Sequence, residues 1–213
     1  MATREQLAAE FGGTMLLVTA VIGSGIMGDR LSDDIAVTLL ANTGATAAAL
    51  FVLISILGPV SGAHFNPVVS AAMALRGEQK PMSALFYGGA QVAGGLVGTL
   101  LAHAMFDLPL IQTSANIRTG AGQFMAEIVA TFCLLSVILR GTRLSGASMP
   151  TLVSLTIASA YWFTASTSFA NPAVTIARAF TETFAGIAPE NVPLFISAQC
   201  IGCLLAFSLF RNP

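Results

Sequence analysis

Charge is what this chain has least of. Only 9% of its residues are Asp, Glu, Lys or Arg, while 55% are hydrophobic and the mean hydropathy is +0.80. That balance is too apolar for a soluble domain of 213 residues. The formal net charge of −1, with no basic patch interleaved with aromatics, gives no case for nucleic acid as a partner. Cysteine is equally sparse. Cys133, Cys200 and Cys203 all fall in apolar stretches, where a thiol acts as a small packing residue. Cys200 and Cys203 have CxxC spacing, but no second pair and no neighbouring His completes a metal or redox site. His103 reads as a helix residue near a membrane interface. A Walker-type phosphate loop is also missing, short loops leave no room for an extramembrane domain, and so few polar residues do not assemble a nucleophile, base and acid. The chain reads as an integral membrane protein, not an enzyme, with no cofactor and no metal.

What the sequence does have is long apolar runs. A bilayer-spanning helix needs about 20 mostly apolar residues, and six stretches qualify, approximately 6–27, 35–57, 82–106, 122–142, 147–167 and 192–210. The first could pass for a signal peptide. It is not read as one, because Ala9-Glu10-Phe11-Gly12-Gly13-Thr14 returns in degenerate form as Ala126-Glu127-Ile128-Val129-Ala130-Thr131. The repetition continues. Glu10 pairs with Glu127, Asn66-Pro67 with Asn171-Pro172, and Ala90-Gln91 with Ala198-Gln199, in the same order and at offsets of 117, 105 and 108 residues. Three spans lie between the two Asn-Pro pairs, an odd number, so the second pair enters the membrane from the opposite face. The expected fold is an all-α membrane protein with six transmembrane helices and two re-entrant half-helices. They form an inverted repeat, 1–106 and 122–213, within one channel-like domain, 1–213.

Loop charges orient it. Arg4, Arg76, Lys80, Arg140, Arg143 and Arg211 fall on one side. Arg30, Arg118 and Arg178 fall on the other, with Asp29, Asp33, Asp34, Asp107, Glu182 and Glu190. The positive-inside rule then puts both termini in the cytoplasm.

Each Asn-Pro pair predicts an N-cap followed by the preferred first helical residue. Two such helix starts facing each other place about half a positive charge from each side at the centre of a pore, which repels cations. Asn66 and Asn171, fixed by capping, still offer amide N–H donors to a passing oxygen. Glu10 and Glu127 sit in apolar spans, where a carboxylate needs a partner or a watery path. They are read as acceptors holding the backbone N–H groups of the re-entrant loops; the competing reading is a proton relay for a coupled carrier. His64 reads as a hydrogen-bonded brace of its loop, with a pH-sensitive gate as the alternative.

Ser61-Gly62-Ala63-His64-Phe65-Asn66-Pro67-Val68, Phe169-Ala170-Asn171-Pro172-Ala173 and Glu10-Phe11-Gly12-Gly13-Thr14 together resemble the aquaporin or major intrinsic protein family over essentially the whole chain. The resemblance implies a pore in each protomer of a homotetramer, with Glu10 and Glu127 bracing the loops. It also implies a selectivity filter of four positions, which counting from the two Asn residues places at Thr46, Ser159, Ser168 and Val174; an indel in the fifth helix would move Ser159's role to Ala160 or a neighbour. Typical members have Arg where Val174 stands, often an aromatic where Thr46 stands, and Ala where Val68 stands. Thr and Val there imply a wide filter that passes water, glycerol and undissociated metalloid hydroxides such as arsenite. The stretch around Asn171 looks like the bacterial branch associated with arsenic-resistance operons, which implies a bacterial inner membrane and adds methylated arsenicals. A water-selective channel is the runner-up. Arg178, four residues after Val174, supplies a vestibule charge on one reading; on the other it snorkels to the interface or pairs with Glu182.

Overall fold

The computed structural model describes residues 1–141 and 148–210. Arg143 and Arg211 of the charge reading, and residues 142 and 147 at the edges of two expected spans, lie outside the described residues. Within them every regular element is helical. Helix α1, Arg4–Leu31, is capped reciprocally: Gln6 N donates to Thr3 Oγ1 at 3.2 Å and Thr3 N donates to Gln6 Oε1 at 3.0 Å. Helix α2, Ile35–Ser61, starts beneath Asp34, whose carboxylate accepts from Ala36 N at 2.8 Å, and stops at Gly62 with φ of +88°. A short helix α3, Pro67–Leu75, and a long α4, Pro81–Met105, complete the first half. The second half repeats the order: α5 Ala121–Gly141, α6 Met149–Phe163, a short α7 Pro172–Arg178 and α8 Val192–Phe210, the last preceded by a 3-10 turn at Pro189–Asn191.

Helices α1, α2, α4, α5 and α8 with its leading turn are long and apolar enough to cross a membrane. Helix α6 is shorter than the expected 147–167, with 15 described residues covering about 22 Å. It ends at Phe163 because Thr164 swings to extended backbone, φ −110° and ψ 135°, to begin the loop leading to Asn171.

Small residues let the long helices touch backbone to backbone. In the first half α1 packs on α4, and a Cβ at Gly94 would overlap the Phe11 carbonyl oxygen. In the second half α5 packs on α8, and a Cβ at Gly202 would overlap the Ile128 carbonyl oxygen. Gly94 and Gly202 are related by the same offset as Gln91 and Gln199, and Phe11 and Ile128 by that of Glu10 and Glu127. The two halves therefore share one packing solution, not only one motif. Helices α2 and α6 join them, and the N-terminal ends of α3 and α7 meet in the middle.

At one end of the bundle the connection from 106 to 120 lies against residues 179–191. Ser114 N donates to Ala179 O at 3.0 Å, Ala188 N to Asn116 O at 2.7 Å, and Asn116 Nδ2 to Thr183 O at 2.7 Å. His103, read from sequence as an interfacial helix residue, is fully buried and ties this layer down. Its two ring nitrogens lie 2.9 Å from Leu110 O and 2.8 Å from Thr181 Oγ1.

Candidate functional site

Both Asn-Pro pairs start short helices. Asn66 Oδ1 accepts from Val68 N at 3.1 Å, and Asn171 Oδ1 accepts from Ala173 N at 3.0 Å and Val174 N at 3.3 Å. Pro67 and Pro172 occupy the first helical position. The amides then cross over: Asn66 Nδ2 donates to Ala170 O and Asn171 Nδ2 to Phe65 O, each at 2.8 Å. Each amide group has two N–H donors, so one on each Asn holds the opposite loop and the second has no protein partner among these bonds.

The loops before the two Asn residues have the same backbone. Gly62, Ala63 and Phe65 are left-handed with φ of +88°, +50° and +49°, and Thr167, Ser168 and Ala170 at the equivalent positions have +59°, +51° and +47°. Non-glycine residues adopt that region at a cost of about 1–2 kcal/mol each, so something must hold them there. Glu10 and Glu127, each fully buried, make matching sets of bonds. Glu10 accepts from Ser61 Oγ (2.6 Å), His64 N (3.0 Å), Phe65 N (2.7 Å) and Gln91 Nε2 (2.7 Å). Glu127 accepts from Ser166 Oγ (2.6 Å), Phe169 N (2.9 Å), Ala170 N (2.9 Å) and Gln199 Nε2 (2.6 Å). The serines, glutamines and backbone donors correspond one to one. Gln91 and Gln199 are visible in the sequence as a repeated pair, but nothing there joins them to the glutamates, whose offset is 117 residues against their 108.

A cavity of about 300 Å³ runs past these loops. Its walls follow the repeat: Leu17 and Leu134, Val21 and Ile138, Val69 and Val174, and both Asn residues line it in equivalent pairs. His64 lines it too, its Nδ1 lying 3.0 Å from Ser70 Oγ, which also accepts from Gln91 Nε2 at 3.1 Å. The symmetry breaks at several positions, two of them with a marked change of chemistry. Where the α3 end has His64 and Met73, the α7 end has Phe169 and Arg178.

Of the four filter positions expected from counting, Thr46, Ser168 and Val174 line the α7 half of the cavity. Ser159 does not. It is exposed on the outside of α6, with its hydroxyl bonded to Thr156 O at 2.9 Å. Ala160 is buried but off the cavity, and Tyr161 takes the wall position, its hydroxyl donating to Thr46 Oγ1 across 3.3 Å. Two residues along a helix turn the side chain through about 200°. The wall position therefore falls ten residues before Asn171 instead of twelve.

Arg178 neither snorkels nor pairs with Glu182. Helix α7 ends at Arg178, so Glu182 is not one turn further along it, and its carboxylate accepts from Ala115 N instead. The Arg178 side chain is buried and lines the cavity; Nε donates to Ala185 O, and the guanidinium carbon stands 3.4 Å from the centre of the Phe169 ring. Arg118 approaches the same ring at 5.2 Å while its Nε donates to Gly186 O at 2.8 Å. Among the described residues no group of three or more His, Cys, Asp or Glu is placed to hold a metal ion.

Comparison with known proteins agrees with this architecture. The family described as Major intrinsic protein matches residues 1–165. "Aquaglyceroporin AqpS" of Rhizobium meliloti (strain 1021) is 54% identical over 203 residues, covering 95% of this chain and 87% of that protein. "Probable aquaporin TIP-type" of Antirrhinum majus is 36% identical over 140 residues, 63% of this chain and 56% of that protein, so the match takes in little more than half of the plant protein. Among solved structures, the aquaglyceroporin from Plasmodium falciparum superposes with a TM-score of 0.74 at 21% identity, over 98% of this chain and 95% of that one, a likeness of fold.

Proposed function

Because the chain belongs to the major intrinsic protein family, we propose that the cavity between its half-helices is the whole of its working site and that transport through it is passive. The chain is an integral membrane channel for small solutes such as water and glycerol. The observation that carries the finer reading is Val174. Where relatives of this family place a guanidinium, a short aliphatic side chain lines the wall, facing Thr46, Ser168 and Tyr161. A wall of hydroxyls and one aliphatic face suits neutral solutes that present several hydroxyls of their own, such as glycerol and undissociated metalloid hydroxides including arsenite, and methylated arsenicals of similar size. The filter is then Thr46, Tyr161, Ser168 and Val174.

Glu10 and Glu127 brace the strained loops in this reading. Four donors on each carboxylate leave no lone pair suited to carrying a proton along a path, which weighs against a coupled carrier. The contact between Tyr161 and Thr46 favours one further reading, a narrower, water-selecting channel, because a phenol ring occupies space that Thr46 alone would leave open. The chain is proposed to sit in a bacterial inner membrane as a homotetramer with both termini in the cytoplasm. Arg4, Arg76, Lys80 and Arg140 then face the positive side, and the α7 end of the cavity opens outward.

The test is stopped-flow light scattering on proteoliposomes of the wild-type protein. Glycerol and arsenite at neutral pH, where arsenite is undissociated, should enter at rates well above those of empty vesicles. Rapid water flow with glycerol and arsenite at the empty-vesicle rate would leave the water-selective reading in its place.

A further inference from the structure

Val174 leaves the filter without the fixed cation that the family's design uses there, yet the α7 half of the cavity is not without charge. We propose that Arg178 is the charge-selecting residue of this channel, acting from one helical turn beyond the usual position. The proposal rests on the channel reading above. Helical side chains lean toward the helix N-terminus, so a residue at 178 reaches back toward the level of Val174. The stacking on Phe169, two residues before Asn171, shows how far back it reaches.

Three features mark the guanidinium as placed for solutes. First, the fold does not require it. The equivalent position on α3 is Met73, which also lines the cavity, so an apolar side chain fills that site in the other half. Second, no carboxylate forms an ion pair with it among the described residues; Glu127 acts on it only at longer range, its oxygens already taken up by four donors. Glu182 is bonded to Ala115 N, the four bonds to Glu127 come from the loop, Ser166 and Gln199, and Arg118 on the same ring adds a second positive charge. Burying a cation without a directly paired carboxylate is costly in a protein; the Phe169 face, the Ala185 carbonyl and the more distant Glu127 offset part of that cost. Third, Nε is the only Arg178 side-chain nitrogen with a hydrogen-bond partner among the described residues, and the Ser168 hydroxyl, buried and lining the same cavity, has none. The terminal N–H groups and that hydroxyl form a station for solute oxygens. A cation arriving there meets like charge before it meets the half-helix ends.

Arg178→Met, the residue of the opposite half, tests this in proteoliposomes. K⁺ and proton leak are read with entrapped indicators and normalised to the water permeability of the same vesicles. The normalised leak should rise on the order of tenfold or more, since a unit charge is removed from a low-dielectric channel. Arg178→Lys, which keeps the charge but loses the planar fork, should stay near wild type. Val174→Arg combined with Arg178→Met should restore exclusion. If Arg178→Met assembles and leaks no more than wild type, or if Arg178→Lys and the double variant leak as much as Arg178→Met, the charge is not the selecting element and the proposal falls. Should Arg178→Met fail to assemble, Arg178→Gln, which removes the charge and keeps a hydrogen-bonding end, decides the matter: raised leak supports the proposal, unchanged leak overturns it. A wild-type protein with no solute flux above empty vesicles would instead sink the channel reading itself.

Discussion

A buried carboxylate with four donors is the residue on which each half of this channel turns. Glu127 is matched donor for donor, so Glu127→Gln should be far from conservative: its amide keeps one acceptor oxygen and would turn its N–H groups toward either the Phe169 or the Ala170 N–H, which the two carboxylate oxygens now accept separately. Each buried donor left unsatisfied costs about 1–3 kcal/mol. The variant should therefore lose at least about 1 kcal/mol, seen as a lower melting temperature in detergent beside the wild type, and equal melting would show that the loop holds its left-handed backbone without the glutamate. Asn171→Asp should act differently. It cannot donate to Phe65 O, and it puts an anion where two helix N-termini meet, so cation leak should rise; a folded variant that excludes sodium and protons as wild type does would show that the helix ends do not govern charge here. At Tyr161, Tyr161→Ala should raise glycerol permeability relative to water by roughly threefold or more if the phenol narrows the filter, measured by stopped-flow swelling. Much at this scale could be read from the sequence. The two glutamates and the two asparagines emerged because the repeat states each of them twice; Thr46, Ser168 and Val174 came from the family resemblance, which implies a distance from an Asn for each, and all three line the cavity. Tyr161 did not, since counting along a chain assumes that the loop keeps its length, and an error of two residues on a helix selects the opposite face.

At the scale of elements, close helix crossings carry the packing, and glycine position decides which crossings are possible. Gly94 lies against the Phe11 carbonyl and Gly98 against that of Met15, whereas a Cβ at Gly89 on the same helix would meet nothing within 4 Å. Gly→Ala gains about 1 kcal/mol of helix propensity at an open site, while overlap with a neighbouring backbone costs typically 1–3 kcal/mol. Gly94→Ala and Gly98→Ala should therefore melt below wild type and Gly89→Ala at or above it; three equal melting temperatures would show that α1 and α4 can move apart freely. The half-helices were legible because Asn-Pro is both a cap and a first helical residue. The long spans were legible from apolar length. Two features were not. The left-handed loop backbone falls mostly on Ala, Phe, Thr and Ser, residues that do not advertise it, and it is held by acceptors from another helix. His103 looked peripheral because its partners, Leu110 and Thr181, lie in segments that only the folded connection brings together.

The whole molecule is two copies of one packing scheme facing in opposite senses, and its function lies where the copies differ. The equivalent pairs, Glu10 with Glu127, Asn66 with Asn171 and Val69 with Val174, build a central passage that treats both directions alike. His64 and Met73 at one end, and Phe169 and Arg178 at the other, give its mouths unlike chemistry. The two buried glutamates, the acids that a coupled carrier would use, are each taken up by four donors, which weighs against the proton carrier that uphill transport needs. Solute movement should therefore follow the solute gradient alone. In proteoliposomes loaded at equal glycerol inside and out, imposing a proton gradient of either sign should produce no net glycerol movement, and initial rates should rise linearly with concentration without saturating. Accumulation of glycerol above its external concentration, dependent on the proton gradient and abolished by Glu10→Gln or Glu127→Gln in protein that still assembles, would overturn the passive reading. It would also return the two glutamates to the role of proton sites, despite the four donors each one holds.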